Sequence, residues 1–312
     1  MRAGVWKPRT RPGTFEGNGE DALKWIADIK KELDVQFTVE VANTSHIELA
    51  LKYGIDILWI GARTTVNPFS VQEIADAIKG TDTPVLIKNP INPDLSLWMG
   101  ALERINKAGI SKIGAIHRGF SMTGKSKYRY VPMWKIAIDL MSNMPELPVI
   151  CDPSHICGNR EMIFETSQKA LDLGYDGLII ESHIDPDNAW SDAKQQITPK
   201  KLKELTKDLK VRRITKNDEV FLEDLDNLRA QINVHDNQLI NILGNRMKVA
   251  EKIGLLKKKN NVAVLQSKRW NEILGKMILE GDEKNLSEEF ILKVFKAIHQ
   301  ESINHQEKIL KN

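Results

Sequence analysis

Only two cysteines, Cys151 and Cys157, occur in 312 residues. That is too few for a disulfide framework, so a reducing, cytoplasmic setting is expected. No apolar run approaches the roughly 20 residues of a membrane-spanning helix, and the opening MRAGVWKPRTRPG carries charges where a secretory leader is apolar. The expectation is a chain with no membrane partner. An excess of one charge is also lacking: 45 Lys and Arg against 42 Asp and Glu leave +3. That balance makes no electrostatic case for a nucleic-acid partner, so functional charge has to be local. No G-x-G-x-x-G follows an early strand, which removes support for a dinucleotide-binding sheet. Proline and tyrosine are missing from the last third of the chain. All 12 prolines and all 4 tyrosines lie at or before Pro199, with six of the seven tryptophans.

What remains after Pro199 is rich in Leu, Ile, Lys, Glu, Asn and Gln, with only four glycines. Proline suits turns and strand edges and damages helix interiors. The break therefore divides a mixed, turn-rich part (1–209) from a helical part (222–312), with a basic linker over 210–221. In the first part, β-type runs fall at Arg2–Trp6, Gln36–Val41, Ile57–Gly61, Pro84–Lys88, Lys112–His117, Pro148–Asp152 and Gly177–Glu181. Helical patterns such as DALKWIADIKKEL (21–33) and VQEIADAIKG (71–80) lie between them. Alternating β and α units predict a parallel sheet, open or closed into a TIM-type barrel. A barrel needs eight strands, and seven are counted. The second part reads as three helices over roughly 222–258, 266–281 and 287–310, the first long enough to require a partner for its apolar stripe.

Nearly every strand ends in a polar cluster: Lys7-Pro8-Arg9-Thr10, Gly61-Ala62-Arg63, Lys88-Asn89, His117-Arg118-Gly119, Asp152-Pro153-Ser154-His155 and Glu181-Ser182-His183. That is where a TIM-type barrel builds its site. Arg2, Lys7, Arg9, Arg63, Lys88 and Arg118 converging on one mouth would repel one another without an anion. Arginine forks fit phosphate and carboxylate, so a small, multiply anionic substrate is expected. His155, Glu181 and Asp192 form a second set, one imidazole and two carboxylates, suited to a divalent metal such as manganese, iron or zinc.

Arg2…KPRT (7–10), IGARTT (60–65), VLIKNP (85–90), IHRGF (116–120), CDPSH (151–155) and IIES…AWSD (179–192) resemble 3-deoxy-D-arabino-heptulosonate 7-phosphate (DAHP) synthases of the short barrel type. The resemblance covers residues 1 to about 209 and implies a (β/α)8 barrel that condenses phosphoenolpyruvate with erythrose 4-phosphate. It implies that Arg2, Lys7, Arg63, Lys88 and Arg118, with Ala62 beside them, hold phosphoenolpyruvate. Lys7, Pro8, Arg9 and Thr10 would hold erythrose 4-phosphate, with Lys7 as the catalytic residue. His155, Glu181 and Asp192 would bind a divalent ion (Mn, Fe, Zn or Co). Synthases of other keto-sugar acids are disfavoured by KPRT and IGARTT. The family's first strand carries a Gly-Pro-Cys segment whose cysteine is a fourth ligand. Nothing before Arg2 supplies it, so the expectation is a truncated N-terminus and a barrel lacking its first strand. Neither Cys151 nor Cys157 matches a ligand position.

In the helical part, Arg246 and Lys257 are 11 residues apart and share a face, whereas Arg229 points roughly 100° away. Ser302 and Gln306 are at i, i+4. LRAQINVHDNQLINILGNRMKVAEKIGLLK (228–257) and ESINHQ (301–306) resemble the first and third helices of the all-helical chorismate mutases. That resemblance implies a three-helix homodimer in which Arg229 crosses to the partner's site, and Arg246 and Arg269 meet chorismate's carboxylates. Lys257 and Gln306 would act on the ether oxygen as catalytic residues, with Ser302 nearby. Gln266 and Trp270 depart from the common pattern, which has acidic residues there. The expected whole is a bifunctional enzyme acting on phosphoenolpyruvate, erythrose 4-phosphate and chorismate. Two alternatives stay open: an inactive barrel with mutase activity alone, or a helical part serving only dimerisation or regulation.

Overall fold

The computed structural model describes residues 1–9, 13–212, 219–265 and 267–311. Thr10, Gln266 and the Arg2 side chain, all singled out above, lie outside the described residues. The chain divides into two compact units, Met1–Ile214 and Thr215–Asn312.

The first unit is built on β1 (Arg2–Ala3), β2 (Thr38–Val41), β3 (Ile57–Ile60), β4 (Val85–Lys88), β5 (Ile113–His117), β6 (Val149–Cys151) and β7 (Gly177–Leu178). All seven runs expected as strands are present. The strands are parallel and neighbour one another in sequence order, β1 through β7. Helices cross between successive strands, the arrangement that right-handed βα units produce. Among the described residues, β1 pairs with β2 and β7 with β6, and no pairing joins β7 to β1.

A period of two sorts the strand side chains. Val39 and Val41, Leu58 and Ile60, Val85 and Ile87, Ala115, and Val149 and Cys151 belong to one buried apolar cluster with the helices. The alternate positions, Thr38, Glu40, Trp59, Lys88 and Arg118, line a cavity on the other side. The register sets Glu40 beside Trp59, two cavity-lining side chains, and Lys88 beside Ile116, two residues before Arg118. Trp98, fully buried on the helix Leu95–Lys107, donates its indole N–H to the Ile87 carbonyl at 3.1 Å. Burying the indole therefore leaves no polar atom unsatisfied.

Proline and short polar residues open the helices that follow the strands. Pro68, Pro153 and Pro199 each occupy the first helical turn, where the missing N–H costs nothing. Asn67, Asp152 and Thr198 cap those helices through their side chains. The caps fix where the chain turns after β3, β6 and β7, and hence where the strand-end residues point.

The second unit consists of three helices, Glu219–Lys259, Ser267–Asp282 and Glu288–Lys311. The first has 41 residues, about 60 Å at 1.5 Å per residue, and it begins three residues before the sequence expectation of 222. Its contact with the last helix is close: a Cβ on Gly254 would lie 3.2 Å from Gln306 Cα. Met247, Ala250 and Ile291 are the buried apolar side chains among the described residues of this unit. Ile232, Leu239, Ile242, Val249 and Ile253, at near-heptad spacing along the long helix, are exposed. No helix in the described residues is long and apolar enough to cross a membrane.

Candidate active sites

A cavity of about 1350 Å³ opens at the C-terminal ends of the strands. Lys7, Pro8, Arg9, Ala62, Arg63, Lys88, Arg118, His155, Glu181 and Asp192 all line it. Sequence-distant strand ends are thus gathered at one mouth because parallel strands in sequence order point their C-termini the same way.

Lys88 is 3% and Asp152 0% exposed, and Lys88 Nζ lies 3.0 Å from the Asp152 carboxylate. The ammonium also sits 4.5 Å from the Trp59 ring centroid. Asp152 reaches further, to His155 Nδ1 at 2.9 Å. One buried carboxylate therefore neutralises the lysine and fixes the imidazole. Arg118 is 4% exposed, and its Nη1 has no hydrogen-bond partner. Its guanidinium lies 3.4 Å from the Tyr130 ring centroid. Burial lowers the Arg118 pKa, opposed by Tyr130 and Asp152. A buried, incompletely satisfied guanidinium facing a cavity is an anion-binding group. Gly119, at φ +78°, allows this: a Cβ there would lie 2.6 Å from the Tyr130 carbonyl oxygen.

Lys7 donates to Ser191 Oγ at 2.6 Å and lies 3.5 Å from Asp192. Arg9 donates to the Phe15 carbonyl at 2.9 Å and lies 3.8 Å from Asp192. Arg129 completes the ring around Asp192 at 3.3 Å and donates to Gln195 at 2.7 Å. Burial pushes the Asp192 carboxyl up, but Lys7, His155, Arg129 and Arg9 together outweigh it and hold the pKa below its usual value.

The donor chemistry of His155, Glu181 and Asp192 fits a divalent ion, and the Asp152–His155 bond is the kind of support that ligating histidines receive. Their arrangement does not fit. Among the described residues no three His, Cys, Asp or Glu side chains are gathered as a metal site. Asp192 is turned to cations, and Glu181 accepts from Gln195 Nε2 at 2.6 Å. Cys151 and Cys157 are buried thiols, both raised in pKa chiefly by burial.

Sequence reasoning missed four residues of this mouth: Glu40, Trp59, Arg129 and Tyr130. Glu40 and Trp59 carried a signal, being polar or aromatic at alternate positions of otherwise aliphatic strands. Arg129 and Tyr130 carried none, because they arrive on a long connection after β5 that is tied back by the Phe120–Val131 bridge.

In the helical unit, Arg246 donates to Ser302, and Gln306 Nε2 donates to the Ser302 carbonyl at 3.2 Å. Lys257 donates to the Val264 carbonyl at 2.6 Å. Gln306 is 8% exposed, with its Oε1 unsatisfied. Arg246, Ser302 and Gln306 are thus brought together between the long and last helices, and Lys257 lies about three turns along the same face of the long helix. Arg229 and Arg269 are exposed and paired to their own helices, with Asp226 at 3.3 Å and Glu272 at 3.4 Å.

Fold and mouth together define a parallel α/β unit of barrel type with a cationic mouth, followed by an all-helical unit. Residues 1–216 match the DAHP synthetase I family, and residues 228–307 match chorismate mutase type II. The chain belongs to the DAHP synthetase I family, with a chorismate mutase type II region following. Phospho-2-dehydro-3-deoxyheptonate aldolase of Thermotoga maritima is 29% identical over 210 residues, 67% of this chain and 60% of that protein. The crystal structure of that Thermotoga maritima enzyme matches with a TM-score of 0.59 at 28% identity, over 66% of this chain and 58% of the other. The bifunctional chorismate mutase/prephenate dehydratase of Buchnera aphidicola is 35% identical over 83 residues, 27% of this chain and 22% of that protein. The chain therefore spans about 60% of the length of its DAHP synthase relative. DAHP synthases are typically metal-dependent.

His117, of the strand-end run IHRGF, plays a structural part. It is fully buried among Trp98, Phe120, Trp134 and Tyr175. Its Nε2–H donates to the Pro132 carbonyl at 2.6 Å, so Nδ1 accepts from the Tyr175 hydroxyl at 2.8 Å. Burial pushes its pKa down to about 4. The unfolded chain takes up a proton near pH 6.5, whereas the folded unit resists until about 4. This contribution to stability is complete above pH 6.5 and is lost as pH falls toward 4. The first unit is expected to lose about 2 kcal/mol between pH 7.5 and 5 from this group. Urea unfolding followed by tryptophan fluorescence checks it, and an equal loss in His117→Gln would assign the effect elsewhere.

Proposed function

We propose that residues 1–209 condense phosphoenolpyruvate with erythrose 4-phosphate to DAHP, and that residues 222–312 convert chorismate to prephenate, with 210–221 as the linker. The observation that carries the first activity is the single cavity over the strand ends, in which buried Lys88 and Arg118 stand beside Lys7, Arg9 and Arg63. Lys88 and Arg118 bind the carboxylate and phosphate of phosphoenolpyruvate, with Arg63 at the rim and Arg2 completing the set. Lys7, Pro8, Arg9 and Thr10 receive erythrose 4-phosphate. In the reaction, C3 of phosphoenolpyruvate attacks the aldehyde carbon, and the aldehyde oxygen takes a proton. Water then adds at C2, and phosphate departs. Lys7, steadied by Ser191, is the group at the aldehyde oxygen. No step is routed through a metal, whose candidate ligands His155, Glu181 and Asp192 are not gathered into one site.

The second activity rests on Arg246, Ser302 and Gln306 meeting between two helices, with Lys257 near. The rearrangement is intramolecular, so the site needs only to hold the compact conformer and stabilise charge on the ether oxygen. The exposed stripe Ile232, Leu239, Ile242, Val249 and Ile253 supports a homodimer through the long helix, which brings Arg229 to the partner's site.

Four outcomes are expected. Phosphoenolpyruvate is consumed only when erythrose 4-phosphate is present, with one inorganic phosphate released for each molecule consumed. In calorimetry, Arg118→Ala weakens phosphoenolpyruvate binding by roughly tenfold or more, because a buried charge-assisted fork is lost. Unchanged binding by Arg118→Ala would remove the anion-site assignment. Lys257→Ala lowers chorismate turnover by about a hundredfold or more, the scale for losing one donor to a developing oxyanion. Normal turnover by that variant would show that Lys257 does not act on the ether oxygen. Light scattering gives twice the 35.4 kDa chain mass, and a doubly charged variant, Leu239→Lys with Ile242→Lys, gives the monomer. A monomeric parent contradicts the dimer.

A further inference from the structure

The last helix carries one more polar side chain on the face that bears Ser302 and Gln306. His299 precedes them by three and seven residues, offsets that keep all three on one side of a helix with 3.6 residues per turn. Its imidazole lies flat on the indole of Trp270 from the middle helix, with ring centroids 4.1 Å apart and planes 16° apart. Both side chains are half-buried. Burial lowers the His299 pKa, and the charges of Arg246 and Lys257 lower it further. The ring is therefore neutral at neutral pH and stands within the field of the two cations of the proposed chorismate site. A neutral imidazole has one in-plane donor and one in-plane acceptor. Stacking on Trp270 covers a ring face and leaves the edge, and neither nitrogen has a hydrogen-bond partner among the described residues.

We propose that His299, held flat by Trp270, is a further substrate-binding residue of the helical unit and hydrogen-bonds the ring hydroxyl of chorismate. The inference rests on the mutase reading above. Chorismate presents two carboxylates, an ether oxygen and one ring hydroxyl. Arg246, Arg269 and Arg229 from across the dimer answer the carboxylates, and Lys257 and Gln306 answer the ether. The hydroxyl is left, and a neutral ring with both a donor and an acceptor matches a group that is itself both. Trp270 is then a positioning residue that acts through His299.

The test is steady-state kinetics of the full chain on chorismate and on an analogue whose ring hydroxyl is replaced by hydrogen. His299→Phe keeps the stack and removes both nitrogens. It should raise KM for chorismate roughly tenfold, the scale of one hydrogen bond, with a smaller change in kcat. For the deoxy analogue, parent and His299→Phe should share one KM, because the lost partners are the same pair. His299→Gln, with a donor and an acceptor, should recover most of the loss. Trp270→Phe should resemble the parent, and Trp270→Leu should show the raised KM of His299→Phe. Equal KM values for parent and His299→Phe on chorismate would overturn the proposal, as would an equal rise on both substrates. A parent without chorismate turnover would instead overturn the mutase reading. If His299→Phe loses helical circular dichroism, His299→Gln and the parent's own preference for chorismate over the analogue decide the matter. No preference overturns the proposal.

Discussion

The Lys88 ammonium faces the Asp152 carboxylate across 3.0 Å with almost no solvent on either, and the mouth of the α/β unit is arranged around that pair. Removing one partner of such a pair typically costs roughly 3–5 kcal/mol, because the other is left as a buried, uncompensated charge. Asp152 also caps the helix Pro153–Cys157 through the His155 N–H and holds the His155 ring. One side chain thus couples strand end, helix start and imidazole orientation. The same constraint governs the rest of the cavity. Cations gathered at strand ends need carboxylates among them, so Asp192 lies within reach of Lys7, Arg9 and Arg129. Arg118 is balanced by the Tyr130 ring and by Asp152, and it retains an unsatisfied Nη1. An anion at that atom would satisfy it, which is the physical basis of the substrate site proposed there.

The two units solve different problems. In the α/β unit, period-two alternation gives one strand face to the apolar cluster and the other to the cavity, so stability and chemistry occupy opposite sides of one sheet. In the helical unit few apolar side chains are buried apart from Met247, Ala250 and Ile291. Its polar site and its packing share the same close approach of Gly254 to Gln306. So thin a core and so long an exposed apolar stripe are what the proposed homodimer would cover.

Much of this could be read in advance. The seven strand runs and the all-helical last third follow from local rules of periodicity and backbone geometry, and both reappear in the structure. The cavity-lining residues Lys7, Arg9, Arg63, Lys88, Arg118, His155 and Glu181 were legible because they lie at or a few residues past strand ends, whereas Asp192 stands 14 residues beyond β7. Arg129 and Tyr130 were not. They lie on an irregular connection whose course depends on pairing between Phe120 and Val131, and no periodicity records such a path. His117 was read as one of a polar cluster, but it belongs to the aromatic core, because residues 117 and 118 face opposite sides of the strand.

What the amino-acid order determined by itself was the inventory: alternating strands and helices, the polar residues at their ends and the helical faces that carry Arg246, Lys257, Ser302 and Gln306. These are short-range properties, set by the two-residue and 3.6-residue repeats of the backbone. Tertiary structure alone decided which of those groups meet. Asp152 pairs with Lys88 across 64 positions, Asp192 turns to cations, and His299 comes to rest on Trp270. Such contacts depend on how strands align and helices cross, and on how buried charges must be balanced once water is excluded.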